Sequence, residues 1–191
     1  MLVCLMRHGQ TDWNAQHRMQ GLSDIPLNET GLTQVRQAAG ELADTPFDRI
    51  FSSPLMRARQ TAEILALPRG LTVEVEPLLT ELSFGVLEGT ALDKFPQELF
   101  TAPEMYVPPE RAESFDQLDA RCGALLDRFL PALEQDCSSV LLCSHGAFIN
   151  GVIRRVTKRP VRDFWLVRQE NCERTWLRCQ GGDVTLIDGR T

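Results

Sequence analysis

Two short apolar runs frame the chain. Leu2-Val3-Cys4-Leu5-Met6 and Val140-Leu141-Leu142-Cys143 are continuous rather than alternating, the pattern of strands covered on both faces in a parallel sheet. Arg49-Ile50-Phe51-Ser52 and Val73 to Val75 read as further strands. Thr175 to Arg178 and Val184 to Ile187, flanking Gly181-Gly182, read as a closing hairpin or antiparallel edge. Between these runs the period turns helical. Leu32, Val35, Ala39 and Leu42 share a face behind Asn28 as N-cap. Ser53 as N-cap and Pro54 at the first helical position predict a helix carrying Arg57. Ser114 with Gln117 forms a capping-box pattern ahead of Phe115, Leu118, Cys122, Leu125 and Phe129. Residues 147–155 predict a helix directly behind the second main apolar run. Residues 10–27 are polar and loop-like, and from Leu78 to about Pro109 glycines and prolines break any period, as in an irregular loop or small cap. Strands alternating with helices predict an α/β chain with a mostly parallel sheet.

Each of the two framing runs leads into His-Gly: Arg7-His8-Gly9 and Ser144-His145-Gly146. Two of the chain's three histidines therefore lie just past strand carboxyl ends, the edge where open α/β sheets bind ligands, and the glycine lets backbone approach a ligand closely. Arg7 adds a planar fork of donors suited to phosphate or carboxylate. Arg57, early in its helix, points toward the same rim. The helix behind His145 and Gly146 would present unpaired N–H groups, that of Ala147 among them, to an anion. A phosphoryl group fits this constellation best. His17 and Arg59 read as surface side chains, and Trp13 as packing for its loop.

Composition narrows the partners. A net charge of −6 and a pI near 5.1 argue against general binding to nucleic acid or an anionic membrane. The six cysteines include no Cys-x-x-Cys pair and read as reduced thiols; a zinc site on Cys143 and His145 finds no second ligand pair. No leader pattern or membrane-crossing stretch is visible, so the expected location is cytoplasmic.

Leu5-Met6-Arg7-His8-Gly9-Gln10-Thr11-Asp12-Trp13-Asn14 strongly resembles the signature of the histidine phosphatase superfamily, in its phosphoglycerate-mutase-like branch, with the Arg-His-Gly motif at its centre. Arg18-Met19-Gln20-Gly21, Asp24 to Asn28, Ser52 to Ala62, Glu81 to Gly89 and Ser144-His145-Gly146 fit the same pattern in order, weakest between 90 and 138. The resemblance implies a three-layer α/β/α sandwich around a mostly parallel central sheet, with a small irregular cap insertion at about 85–112, in a single domain spanning 1–191. It implies His8 as the nucleophile, Glu81 as proton donor, and Arg7, Arg57 and His145 completing the phosphate pocket. Asn14, Gln20, Gly21, Gly146 and Ala147 would contact substrate. Glu88 is the lesser candidate for the proton donor, with a loop-anchoring role as its alternative. No cofactor and no metal are implied.

Mutases of this family are typically longer, with a basic insertion and a Tyr just after the proton-donor segment. Here Phe84 to Pro109 is short, has only Lys94 as a cation, and places Tyr106 late. Gln20 also resembles the phosphatase pattern, whereas Leu87 replaces a frequent Trp. The expectation is a metal-independent phosphomonoesterase acting on a small phosphorylated metabolite through a phosphohistidine on His8, as a monomer or homodimer with no nucleic-acid or membrane partner. A cofactor-dependent phosphoglycerate mutase and a non-catalytic phosphate-binding protein are the alternatives. Phe95, Phe100, Met105 and Tyr106 either line the substrate side or form the cap's own small core.

Overall fold

A computed structural model describes residues 1–187, so positions 188–191 of the expected 1–191 domain lie outside the described residues. The elements follow in the order β1 (Leu2–Arg7), α1 (Asp12–Ala15), α2 (Glu29–Glu41), β2 (Arg49–Ser52), α3 (Met56–Ala66), β3 (Val73–Val75), α4 (Glu98–Thr101), α5 (Phe115–Ala124), α6 (Leu130–Glu134), β4 (Ser139–Ser144), α7 (Gly146–Thr157), β5 (Arg174–Gln180) and β6 (Asp183–Leu186). The six strands form one sheet in the order β3-β2-β4-β1-β5-β6. The first four run parallel, and β5 and β6 close one edge antiparallel. The expected hairpin is this edge.

Alternate residues of β1 and β4 feed two separate cores. Val3, Leu5, Val140 and Leu142 pack with Leu118, Cys122, Leu130 and Phe148 of α5 to α7, while Cys4, Met6, Leu141 and Cys143 pack with Val35, Ala38, Ala62 and Leu65 of α2 and α3. Both faces of each strand are therefore apolar, which explains the continuous runs and gives the α/β/α layering.

Several local expectations shift. Thr11 nucleates α1 inside the stretch expected to be loop, through a capping box with Asn14. The α3 helix starts at Met56 rather than at Pro54. Its first free N–H is taken by Asp24 Oδ1 at 2.6 Å, while the Ser53 hydroxyl accepts from Leu55 N at 3.3 Å and pairs with His145 at 2.8 Å. The capping box at Ser114 and Gln117 forms as expected, but the helical path continues past Phe129 through a π turn, Leu125–Phe129, into α6.

Close backbone approaches fix the site-bearing elements. A Cβ on Gly9 would lie 2.8 Å from the carbonyl oxygen of Gly31 in α2. Packing against α2 therefore requires a glycine after His8. Gly151 similarly lets Cys122 of α5 sit against α7, and Asp119 pairs with Arg154 and Arg155 across the same contact.

Candidate active site

Register places the two histidines side by side. Arg7 pairs with Ser144 at the ends of the parallel strands β1 and β4, the N–H of His8 donates to the Ser144 carbonyl at 3.0 Å, and the imidazole centroids lie 5.1 Å apart. His8 lines a cavity of about 930 Å3 together with Arg7, Asn14, Gln20, Gly21, Arg57, Glu81, Gly146 and Ala147. All the expected site residues except His145 therefore reach one wall.

His8 is 2% exposed, and its Nδ1 lies 2.6 Å from the carbonyl oxygen of Gly9. A carbonyl only accepts, so Nδ1 carries the hydrogen and Nε2 keeps its lone pair. Burial, reinforced by the Arg57 and Arg7 charges, holds the imidazole well below its ordinary pKa of 6.5. The ring is therefore neutral near neutral pH.

Arg57 is fully buried. Its Nη1 donates to the Ser23 carbonyl and its Nη2 to the Gly21 carbonyl, each at 2.7 Å, and its Nε donates to His145 Nδ1 at 3.2 Å. Three of the five guanidinium N–H groups are thereby occupied, and one on each terminal nitrogen remains. Burial brings its pKa down to about 10, against the opposing charges of Glu81 and Asp24. It stays cationic at neutral pH. Arg7 is anchored through Nη1 to the Gln169 carbonyl, and its Nε is buried with no partner. The Arg7 side chain lines the cavity, where a guanidinium suits an anion.

The expectation of a free helix amino end is corrected. The Glu81 carboxylate caps α7: Oε1 accepts from Phe148 N at 3.1 Å and from its neighbour Leu82 N at 2.8 Å, and Oε2 from Ala147 N at 3.3 Å. Ala147 N–H is therefore spent on protein, and Gly146 N–H is the donor of this turn that Glu81 leaves open. Oε2, with one long contact, is the oxygen with room for a proton.

The resemblance assigns His145 to the phosphate pocket. Here it is fully buried, with Nδ1 accepting from Arg57 and Nε2 2.8 Å from Ser53 Oγ. Both ring nitrogens are engaged away from the cavity, so the imidazole orients Arg57. Asn14 Oδ1 accepts from Thr11 N at 3.1 Å, and Gln20 Oε1 from Thr11 Oγ1 at 3.0 Å. With both oxygens turned to Thr11, the two amide NH2 groups remain as donors. Glu88 takes the loop-anchoring role: its oxygens accept from Leu22 N, Ser23 N and Ser23 Oγ at 2.7–2.9 Å. Arg59 pairs with Glu63 at 3.6 Å, and the Trp13 ring packs over Gly89. His17 is exposed, as expected of a surface side chain, yet it lines the cavity mouth.

Two groups escaped the sequence reading. Arg121 donates to the carbonyls of Leu78, Thr80 and Glu81 while paired with Glu113, so it fixes the irregular segment that delivers Glu81. The segment 164–171 forms a whole wall, with Trp165, Val167, Arg168, Gln169, Glu170 and Asn171. Asn171 Nδ2 donates to the His8 carbonyl at 3.0 Å. From the cap, only Phe84, Leu92 and Phe100 reach the cavity; Phe95 is core, stacked edge-on to Phe84, and Met105 is exposed. Among the described residues, no group of three or more His, Cys, Asp or Glu gathers in a way that would hold a metal ion, and no helix is long and apolar enough to cross a membrane.

Comparison with known proteins agrees with this geometry. A protein of Photorhabdus laumondii named probable phosphoglycerate mutase GpmB is 34% identical over 209 residues, covering 97% of this chain and 94% of that one. Among solved structures, a phosphoserine phosphatase of Entamoeba histolytica in complex with phosphoserine superposes with a TM-score of 0.86 at 25% identity, covering 98% of this chain and 95% of that one. A mycobacterial glucosyl-3-phosphoglycerate phosphatase does so with a TM-score of 0.81 at 29% identity, covering 97% and 96%. The family model of the histidine phosphatase superfamily (branch 1) matches residues 3–188, and the chain belongs to that family.

Proposed function

We propose that the chain is a metal-independent phosphomonoesterase that hydrolyses a small phosphorylated metabolite through a phosphohistidine on Nε2 of His8. The observation that carries this reading is the 2.6 Å bond from His8 Nδ1 to the Gly9 carbonyl, which presents a neutral Nε2 beside two buried guanidiniums. Nε2 attacks phosphorus in line, and the bond to the ester oxygen breaks. Glu81, through Oε2, gives the leaving oxygen its proton and then removes one from the water that displaces His8; the P–N electron pair returns to Nε2. Charge on the equatorial oxygens meets the Arg7 guanidinium, the two remaining Arg57 N–H groups, Gly146 N–H and the Asn14 and Gln20 amides. His145 serves as a positioning group behind Arg57. The enzyme works in the cytoplasm, as a monomer or homodimer, without a nucleic-acid or membrane partner.

The mutase name of the Photorhabdus relative favours a second reading, in which phosphohistidine is held until a reoriented product takes the phosphoryl group back. The cap weighs against it, since Phe84, Leu92 and Phe100 are its only residues on the cavity and Lys94 is exposed away from it. The experiment is incubation of chelator-treated protein with 3-phosphoglycerate and with an aryl phosphate, scoring free phosphate and isomer together. Phosphate without isomer, lost by at least ~10⁴-fold in His8→Ala, supports the hydrolase. Isomer formation dependent on a bisphosphate primer establishes the mutase. Phosphate binding without either product leaves a binding protein, and activity restored only by added metal contradicts the mechanism.

A further inference from the structure

One peptide unit decides which nitrogen of His8 is free. Its carbonyl is that of Gly9, which accepts from His8 Nδ1 at 2.6 Å; its N–H is that of Gln10, which donates to Gln34 Oε1 at 2.9 Å. The imidazole, the Gly9–Gln10 peptide and the Gln34 amide therefore form a single hydrogen-bonded chain that runs from His8 into α2. Gln34 is not among the residues lining the cavity, so it reaches the reaction only through that peptide.

The start of α2 is shaped to meet residue 10. Asn28, its N-cap, donates through its backbone N–H to the Gln10 carbonyl at 3.0 Å and through Nδ2 to Gln10 Oε1 at 3.1 Å. A Cβ on Gly31 would lie 2.8 Å from Gln10 N, so the glycine lets the helix close on this backbone. Gln34, three residues further along the same face, brings its side-chain oxygen to the Gln10 N–H. Gly9 N–H, on the preceding peptide, is held separately by Thr61 Oγ1 at 3.1 Å, and the Thr61 hydroxyl donates to the Arg57 carbonyl at 2.8 Å. The two peptides flanking Gly9 are thus tied to different helices, α3 and α2.

A peptide shows an acceptor on one edge and a donor on the other. With the carbonyl toward Nδ1, the hydrogen sits on Nδ1 and Nε2 keeps its lone pair. With the peptide turned over, the Gln10 N–H would face Nδ1, the hydrogen would move to Nε2, and the nitrogen that must attack phosphorus would have no free pair. Gly9, without a Cβ, offers weak resistance to such a turn. Gln34 Oε1 supplies it, because turning the peptide breaks the bond to Gln10 N–H. The same bond polarises the peptide and strengthens the hold of the Gly9 carbonyl on Nδ1–H, a cooperative gain of about 10–30% per bond. Burial and the Arg57 and Arg7 charges lower the proton affinity of His8, and the Gly9 carbonyl raises it.

Resting on the reading of His8 as nucleophile, we infer that Gln34 is a positioning residue for the reaction: its side-chain oxygen, through the Gly9–Gln10 peptide, holds His8 in the Nδ1–H tautomer that leaves Nε2 free to attack.

The test reads the His8 tautomer by proton–nitrogen NMR correlation at neutral pH, in ligand-free protein labelled with nitrogen-15 histidine, the His8 signals being those absent from His8→Ala. The parent is expected to carry its hydrogen on Nδ1. Gln34→Leu and Gln34→Ala, which remove the acceptor, are expected to add the Nε2–H form and to lower kcat on p-nitrophenyl phosphate about ten- to a hundredfold, with KM changed by less than about threefold. Gln34→Glu keeps an oxygen at the Oε1 position and is expected to retain the parent tautomer and most of kcat. Ala39→Gly weakens α2 through lost helix propensity and is expected to lower the melting midpoint without moving the tautomer. A tautomer in Gln34→Leu and Gln34→Ala identical to the parent's, or one that moves equally in Ala39→Gly, overturns the inference and leaves the phosphatase reading standing. A tautomer that follows Gln34 as expected, in a parent that releases phosphate from no ester, sinks the phosphatase reading alone.

Discussion

Nε of Arg57 donates to Nδ1 of His145 across 3.2 Å, so the second of the paired histidines acts on the site through an arginine. Removing the imidazole strands a buried N–H and frees the guanidinium to tilt. His145→Ala is expected to lower kcat/KM on an aryl phosphate about 10²–10³-fold, the scale of one lost charge-stabilising donor. His145→Asn, which keeps an acceptor near the Nδ1 position, is expected to restore part of the loss. Steady-state kinetics check this; a change below about threefold in His145→Ala would break the link.

Glu81 both caps α7 and faces the cavity. Glu81→Gln keeps an acceptor for the cap but carries no transferable proton. Turnover of alkyl phosphates is expected to fall about 10²–10⁴-fold, and that of aryl phosphates, whose leaving group needs less protonation, markedly less. Arg121→Leu, by loosening the carbonyls of Leu78, Thr80 and Glu81, is expected to show the same leaving-group dependence at smaller scale. Equal losses on both ester types in Glu81→Gln would remove it from proton transfer.

Gly21 has φ +55, and a Cβ there would lie 2.2 Å from Glu88 Oε1, while its carbonyl accepts from Arg57. Gly21→Ala therefore strains a turn, crowds a carboxylate and shifts Arg57. It is expected to destabilise the fold by about 1–3 kcal/mol and to raise KM for every phosphomonoester. Pairing it with Glu88→Ala is expected to give a non-additive double mutant. Denaturant unfolding and KM measured together decide the outcome.

Stability is expected to fall as pH drops below about 6.5. Burial and the Arg57 charge hold His8 and His145 well below that ordinary value, so in the acid window beneath it the unfolded chain binds more protons than the folded one. By linkage the unfolding free energy then rises with pH. Neutral folded imidazoles contribute fully above the unfolded value and lose that contribution as pH falls. Chemical denaturation at pH 5 to 7.5 tests the slope, which His8→Ala and His145→Ala should each flatten.

The strands, the closing hairpin and the capped helices were legible because each leaves a local mark: continuous apolar runs, Gly181-Gly182, Asn28, Ser114 with Gln117. Expectation and structure parted where a tertiary partner took over a local role. Ser53 was expected to cap α3; its hydroxyl does accept from Leu55 N at 3.3 Å, but it is shared with His145, and Asp24 takes the N–H of Met56. The amino end of α7 was expected to be open, but Glu81, from a distant segment, fills most of it.

What the sequence determined by itself was which side chains meet: two histidines, each just past a buried strand, become neighbours once those strands pair in parallel. Only the tertiary structure decided how they are used. The nitrogen of His8 left free is set by a backbone carbonyl, which every residue possesses and which leaves no trace in sequence. Gln34, Gln169, Asn171 and Arg121 carry no periodic signal, and their bearing on the site arises only when α2, segment 164–171 and α5 close around the same strand ends.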